Sequence, residues 1–210
     1  MKKRIALGFV LPGLSSFIPT FLSASADSAA VSAVMRAQTS ADNQPSYRIH
    51  TTTTDPQGVV QINTVEYVKP DRFHMQVGLS GEIIVIGTDA YQRRGTGAWS
   101  KSPAEFGKMF AQSRGGGGFS KEVLAATVVT QIGPLNFEGK PAMLYGLVYT
   151  KDTIKSTSKL WISLADNLPR HGESDTEIPV TKIGGKSFGG KSHSVIVYEY
   201  NLNISIKAPI

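Results

Sequence analysis

The stretch Val195-Ile196-Val197-Tyr198-Glu199-Tyr200-Asn201-Leu202-Asn203-Ile204-Ser205-Ile206-Lys207 decides the fold class. Ile196, Tyr198, Tyr200, Leu202, Ile204 and Ile206 alternate with Glu199, Asn201, Asn203, Ser205 and Lys207, the period of two that sends successive side chains to opposite faces of a strand. The pattern predicts one long strand over Val195–Lys207, buried on one face. Upstream, β-rich segments recur at 47–54, 59–68, 72–77, 82–86, 91–94, 126–132, 142–150, 159–163 and around 169–173. Turn chemistry such as Asp55-Pro56-Gln57-Gly58 and Ser80-Gly81 separates many of them. Consecutive strands joined by short turns make an antiparallel meander.

A large antiparallel sheet with one apolar face must cover that face. Two segments are available. Asp27 to Ala41 favours helix, with Asp27 or Ser28 as cap and Val31, Val34, Met35 and Gln38 near one face. Ser102-Pro103-Ala104-Glu105 starts a second helix, with Phe106, Met109 and Phe110 on its apolar side. Gly115–Gly118 interrupts it, either as a hinge or as a plain connector, and a short helix is expected over Phe119–Leu124. The expected architecture is mainly β: a strongly curved antiparallel sheet forming an unclosed half-barrel, with short helices covering its concave face.

The chain opens with Met1-Lys2-Lys3-Arg4, an apolar stretch from Ile5 to Leu22 and Ala24-Ser25-Ala26. That is the grammar of a secretory signal, and cleavage is expected after Ala26. Pro12 and Pro19 interrupt the segment, which barely reaches the roughly 20 apolar residues a membrane-spanning helix needs. The mature part, 27–210, is expected to be a single domain working in the periplasm and not integral to the membrane. Cleavage removes three of the 22 Lys and Arg and none of the 16 Asp and Glu, so the net charge falls from +6 to +3. Scattered charges of that size do not make a nucleic-acid-binding stripe.

There is no cysteine, which removes disulfides, zinc–thiolate sites, thiol nucleophiles and a lipid-modified N-terminal cysteine. Gly185-Lys186-Ser187-Phe188-Gly189-Gly190-Lys191-Ser192 satisfies G-x-x-x-x-G-K-[ST], but a strand rather than a helix follows it. Without a helix N-terminus the loop lacks the dipole and amides that bind phosphate, so it reads as a flexible loop between strands, with no nucleotide expected. The histidines at 50, 74, 171 and 193 show no ligand spacing, and no G-x-S-x-G elbow is present. No catalytic residue, metal or cofactor is expected, and the chain is read as a non-enzyme.

What remains is apolar surface. Phe73, Met75, Val77, Ile84, Ile86, Met143, Tyr145, Leu160, Ile162, Tyr198, Tyr200 and Ile204 are expected to line the inside of the sheet, with Phe106, Met109 and Phe110 above them. A wide sheet with few short helices leaves a cavity, and apolar cavities hold hydrophobic ligands. Methionines suit a surface that adapts to varied chains.

Several segments carry a family resemblance. Tyr67-Val68-Lys69-Pro70-Asp71-Arg72-Phe73-His74-Met75, Gly81-Glu82-Ile83-Ile84-Val85-Ile86-Gly87-Thr88-Asp89-Ala90-Tyr91, Gly97-Ala98-Trp99, Leu160-Trp161-Ile162-Ser163 with Leu168-Pro169-Arg170, and the closing Tyr198-Glu199-Tyr200 to Ile206-Lys207-Ala208-Pro209 resemble the LolA/LolB-like lipoprotein-carrier superfamily. The resemblance implies an unclosed β-barrel plugged by helices and a cavity for acyl chains. The function expected is a periplasmic carrier for a lipid or for a lipoprotein's acyl chains. The alternative is a non-catalytic envelope interaction or stress-sensor domain that binds a protein partner.

Overall fold

The computed structural model describes residues 27–112, 123, 126–183 and 186–210. Its elements are α1 (Ser28–Asp42), β1 (Ser46–Thr54), β2 (Val60–Val68), β3 (Arg72–Val77), β4 (Gly81–Ile86), β5 (Asp89–Arg94), β6 (Ser100–Lys101), α2 (Ala104–Gln112), β7 (Thr127–Phe137), β8 (Lys140–Lys151), β9 (Ile154–Ser163), β10 (Pro169–Ile183) and β11 (Lys186–Tyr200). All eleven strands form one sheet in the order β6-β5-β4-β3-β2-β1-β11-β10-β9-β8-β7. Every pairing is antiparallel. The first and last strands meet in the middle, Tyr47 opposite Tyr200 and Thr54 opposite His193. β6 and β7 follow one another in sequence yet stand at opposite edges, and they do not pair. The result is an open half-barrel.

Asp27 caps α1, its Oδ1 accepting from the Ala29 amide at 2.9 Å. The stripe this helix buries is Ala30, Ala33, Val34, Ala37 and Ala41. It packs on Val129, Tyr145, Leu147, Leu160 and Ile162, with Val31, Met143 and Tyr198 at the margin. The buried face is therefore mostly alanine, with Val34 its one larger side chain, and Met35, expected on it, is 44% exposed. Small side chains let a helix approach a sheet closely, so the large residues of the interface come from the strands.

α2 sits against the β4–β5 turn. A Cβ at Gly107 would lie 1.8 Å from the Thr88 carbonyl oxygen, closer than any atoms pack without movement. Gly107→Ala is expected to lower the melting temperature, even though alanine is the better helix former by about 1 kcal/mol. A melting curve that rises instead would contradict this seating of α2. Among the described residues no helix is long and apolar enough to cross a membrane.

Two expectations about the C-terminal strands need correction. β11 begins at Lys186 and ends at Tyr200, where the alternation would have carried it to Lys207. Asn201 adopts φ +57° and turns the chain out of the sheet. Its amide donates to the Ser46 carbonyl at 3.1 Å, the Ser46 hydroxyl donates to the Leu202 carbonyl, and Arg72 donates to the Ile206 carbonyl at 2.6 Å. The tail thus crosses the ends of neighbouring strands and buries Ile206.

The segment Lys186–Ser192, expected as a flexible loop, is strand, with Ile178 opposite Gly190 and Thr176 opposite Ser192. A Cβ at Gly190 would meet the Pro56 ring at 2.8 Å, so this glycine lets the β1–β2 turn close onto β11. The signal segment, the Gly115–Gly118 run, the expected helix at Phe119–Leu124 and Gly185 lie outside the described residues, apart from Val123 itself.

Candidate functional site

Strand register divides the expected lining residues between two faces. On the helix-bearing, concave face one cross-strand row runs Tyr200–Tyr47–Tyr67–Phe73–Val85, and the next runs Tyr198–Ile49–Val65–Met75–Ile83. Val77 ends the same face of β3, opposite Asn63 and Gly81. Tyr145, Leu160 and Ile162 share the face but are sealed under α1, beside the partly buried Met143.

Ile84 and Ile86 do not belong to this set. They pair with His74 and Arg72 and point to the convex side, while Val85 and Ile83 take the inner positions. Phe106 is half-buried on α2, and the side chains of Met109 and Phe110 lie outside the described residues. Ile204 is half-buried in the tail beyond β11.

Two zones of the concave face follow. Beneath α1 the packing is tight. Across β1 to β4, Ile49, Val65, Met75, Val77 and Ile83 are only half-buried, beside Tyr67 and Phe73. Where α1 ends, a cleft opens between Gln38, Ala41 and Asp42 on the helix and Tyr47, Ile49, Tyr198 and Tyr200 on the sheet. It holds about 10 Å³ of free space, room for a single water. Burial pushes the Tyr198 phenol up to about 12, and it pushes Tyr47 and Tyr200 higher still, with neighbouring acidic and phenolic groups adding to it. All three therefore stay as O–H groups at neutral pH. Burial also raises the Asp42 carboxyl, against a hydrogen bond from Gln38 at 2.9 Å.

Farther along the same face the sheet turns polar. Ser158 and Ser174 are 2.7 Å apart, Thr176 donates to Ser156 at 3.0 Å, and Thr53 meets Ser194 at 2.5 Å. These residues lie at concave register positions on β9, β10, β11 and β1. Sequence reasoning missed this hydroxyl ladder; the alternate serines and threonines of β9 and β10 were its visible signal.

The convex face carries a ladder of charge. Arg48 brings Nε and Nη2 to within 2.8 and 2.7 Å of Glu66 Oε1, and its Nη1 lies 3.4 Å from Glu199. His74 stands between two carboxylates, Nδ1 at 3.1 Å from Glu66 and Nε2 at 3.6 Å from Glu82. Glu82 meets Arg93 at 2.7 Å, and that guanidinium lies over Trp99 at 5.0 Å. His50, His171 and His193 also each face a carboxylate, from Glu199, Glu173 and Asp175. Among the described residues no group of three or more ligating side chains could hold a metal.

Burial pushes Glu66 up, but hydrogen bonds and charge from His74 and Arg48 outweigh it and hold the carboxyl below its usual range. The hydrogen bond from Arg93 does the same for Glu82. Carboxyls depressed in this way stay ionised at neutral pH, the reverse of a general acid. They also tie stability to pH. A folded-state value below the ordinary 4.5 means the stabilisation is complete above that pH and is lost as pH falls below it. The melting temperature is expected to fall between about pH 5 and about pH 3, and to fall less steeply in a Glu66→Gln, Glu82→Gln double variant. An unchanged slope in that variant would show that the ladder is not the titrating element.

No family model matches the chain, and no curated protein matches it. Several solved structures are similar. MucB gives a TM-score of 0.49 at 14% identity, over 88% of this chain and 64% of that one. A DUF1329 family protein from Desulfovibrio piger gives 0.35 at 10%, over 84% and 94%. LolA superfamily protein NE2245 from Nitrosomonas europaea gives 0.30 at 11%, over 81% and 91%. The similar structures include one from the LolA superfamily, the family that the sequence segments resemble.

Proposed function

We propose that this chain is a periplasmic, non-catalytic carrier that holds a hydrophobic ligand, a lipid or the acyl chains of a lipoprotein, against the concave face of its half-barrel. One observation carries the reading. The rows from Ile49 through Val65 and Met75 to Ile83, and from Tyr67 to Phe73, form a continuous apolar floor that is half-buried rather than sealed, bounded by the buried Tyr47.

The cover beside that floor suits a movable element. Each alanine in the α1 stripe forgoes about three carbons relative to leucine, roughly 2 kcal/mol of burial apiece. An alanine helix is therefore displaced more cheaply than a leucine one. Displacement is needed, because small-molecule sites occupy about 300 Å³ or more. The cleft beside α1 holds about 10 Å³. The reading thus requires the ligand to take the place of contacts that α1 makes in the closed form. The secretory-signal pattern of residues 1–26, with cleavage expected after Ala26, supports export.

Titrating a fluorescent long-chain fatty acid into the mature chain tests this. Saturable uptake with a blue-shifted emission is expected. No uptake, together with crosslinking in cells that captures a protein and no lipid, would overturn the carrier in favour of a partner-binding envelope domain.

A further inference from the structure

The cleft at the end of α1 is lined by Tyr200, whose polar group the fold does not use. The Tyr200 hydroxyl is buried and makes no hydrogen bond among the described residues. The Arg170 guanidinium lies over its ring, 5.2 Å from the centroid, and the Tyr47 ring is tilted against it at 6.4 Å. A buried O–H without an acceptor is costly, and native proteins rarely leave one so unless something else completes it.

We propose that this cleft is the subsite for the carbonyl oxygen of an ester- or amide-linked acyl ligand, with the Tyr200 hydroxyl donating to it. The proposal rests on the carrier reading and specifies which part of the ligand lies where. With the end of α1 in place, the cleft has about 10 Å³, room for a single oxygen atom. Charge limits the occupant too. Asp42 borders the cleft and disfavours an anion, and Gln38 already occupies Asp42 Oδ1, which weakens that carboxyl as a partner for a cation. A neutral acceptor satisfies both conditions. Burial keeps the phenol protonated, so the donor is present across the physiological pH range.

Position agrees with this assignment. Tyr47 and Ile49 line the cleft, and their cross-strand partners Tyr67 and Val65 begin the apolar floor that continues to Phe73 and Met75. A ligand with its carbonyl at Tyr200 has its chain directed over β2 and β3. Head and tail are then read by adjoining parts of one surface.

Two probes isolate the carbonyl: a pyrene-tagged long-chain methyl ester and a pyrene-tagged alkane of the same length. The wild-type chain is expected to bind the ester more tightly. Tyr200→Phe should weaken the ester by roughly three- to tenfold, the factor a single neutral hydrogen bond is worth, and leave the alkane unchanged. The variant's melting temperature should be unchanged or raised, because it deletes an unsatisfied group without opening a cavity.

Equal affinity for the ester in both proteins would overturn the subsite and leave the carrier reading intact; the cleft would then hold only a structural water. A lowered melting temperature would overturn it as well, by showing that the hydroxyl serves the fold. If neither probe binds the wild type, the carrier reading and the subsite fall together.

Discussion

Leu147→Ala should lower the unfolding free energy by about 3 kcal/mol, within the usual range for emptying a packed leucine site. Leu147 is 2% exposed and lies on β8 under α1, among Val129, Tyr145, Leu160 and Ile162. The alanines of α1 cannot fill the space left by the lost carbons. The helix is short of bulk, and its backbone already lies close to the sheet. Equilibrium urea denaturation gives the number. A loss under about 1 kcal/mol would mean that α1 can settle into the gap, and that the tight half of the concave face is softer than its burial indicates.

The largest functional effect is expected from Met75→Glu. Met75 faces the concave side between Val65 and Ile83 and is half-buried, so a carboxylate there retains some hydration and the fold should survive. A bound acyl chain would remove that hydration. Taking an unpaired charge out of water costs several kcal/mol, so uptake of a fluorescent fatty acid should fall at least about tenfold. Ile84→Glu is the matched control. The same charge on the convex face, one strand along, should leave uptake unchanged. Equal losses at both positions would place the ligand elsewhere. Ile162, also expected in the lining, is a poor probe, because at 3% exposure a charge there would unfold the core.

That contrast between Ile84 and Met75 shows where the sequence was legible and where it was not. In β3, Phe73, Met75 and Val77 alternate with Arg72, His74 and Gln76, so the inner face could be read directly. In β4, Ile83-Ile84-Val85-Ile86 is apolar throughout, and a period of two leaves no trace in it. Only the pairing of Met75 with Ile83 assigns the faces. The end of β11 was hidden for a related reason. Leu202, Ile204 and Ile206 continue the alternation, yet the left-handed turn at Asn201 converts it into a crossing tail.

Tertiary contacts account for the other differences. Gly189 and Gly190 carry the composition of a loop, and the contact that explains Gly190, Pro56, is distant in sequence. In α1 hydrophobicity ranks Met35 above Ala33 and Ala37, whereas close approach to the sheet selects the alanines. The tyrosine cleft combines both cases. Tyr198 and Tyr200 were legible as inward residues, but Tyr47, Gln38 and Asp42 reach the same point only through the β1–β11 pairing and the seating of α1.

The most direct test of the carrier reading is native mass spectrometry of the mature chain purified gently from the periplasm. The account predicts a population heavier than the bare polypeptide by the mass of a lipid or acylated species, lost on organic extraction and reduced in Met75→Glu. Bare polypeptide alone, in wild type and variant alike, would contradict it.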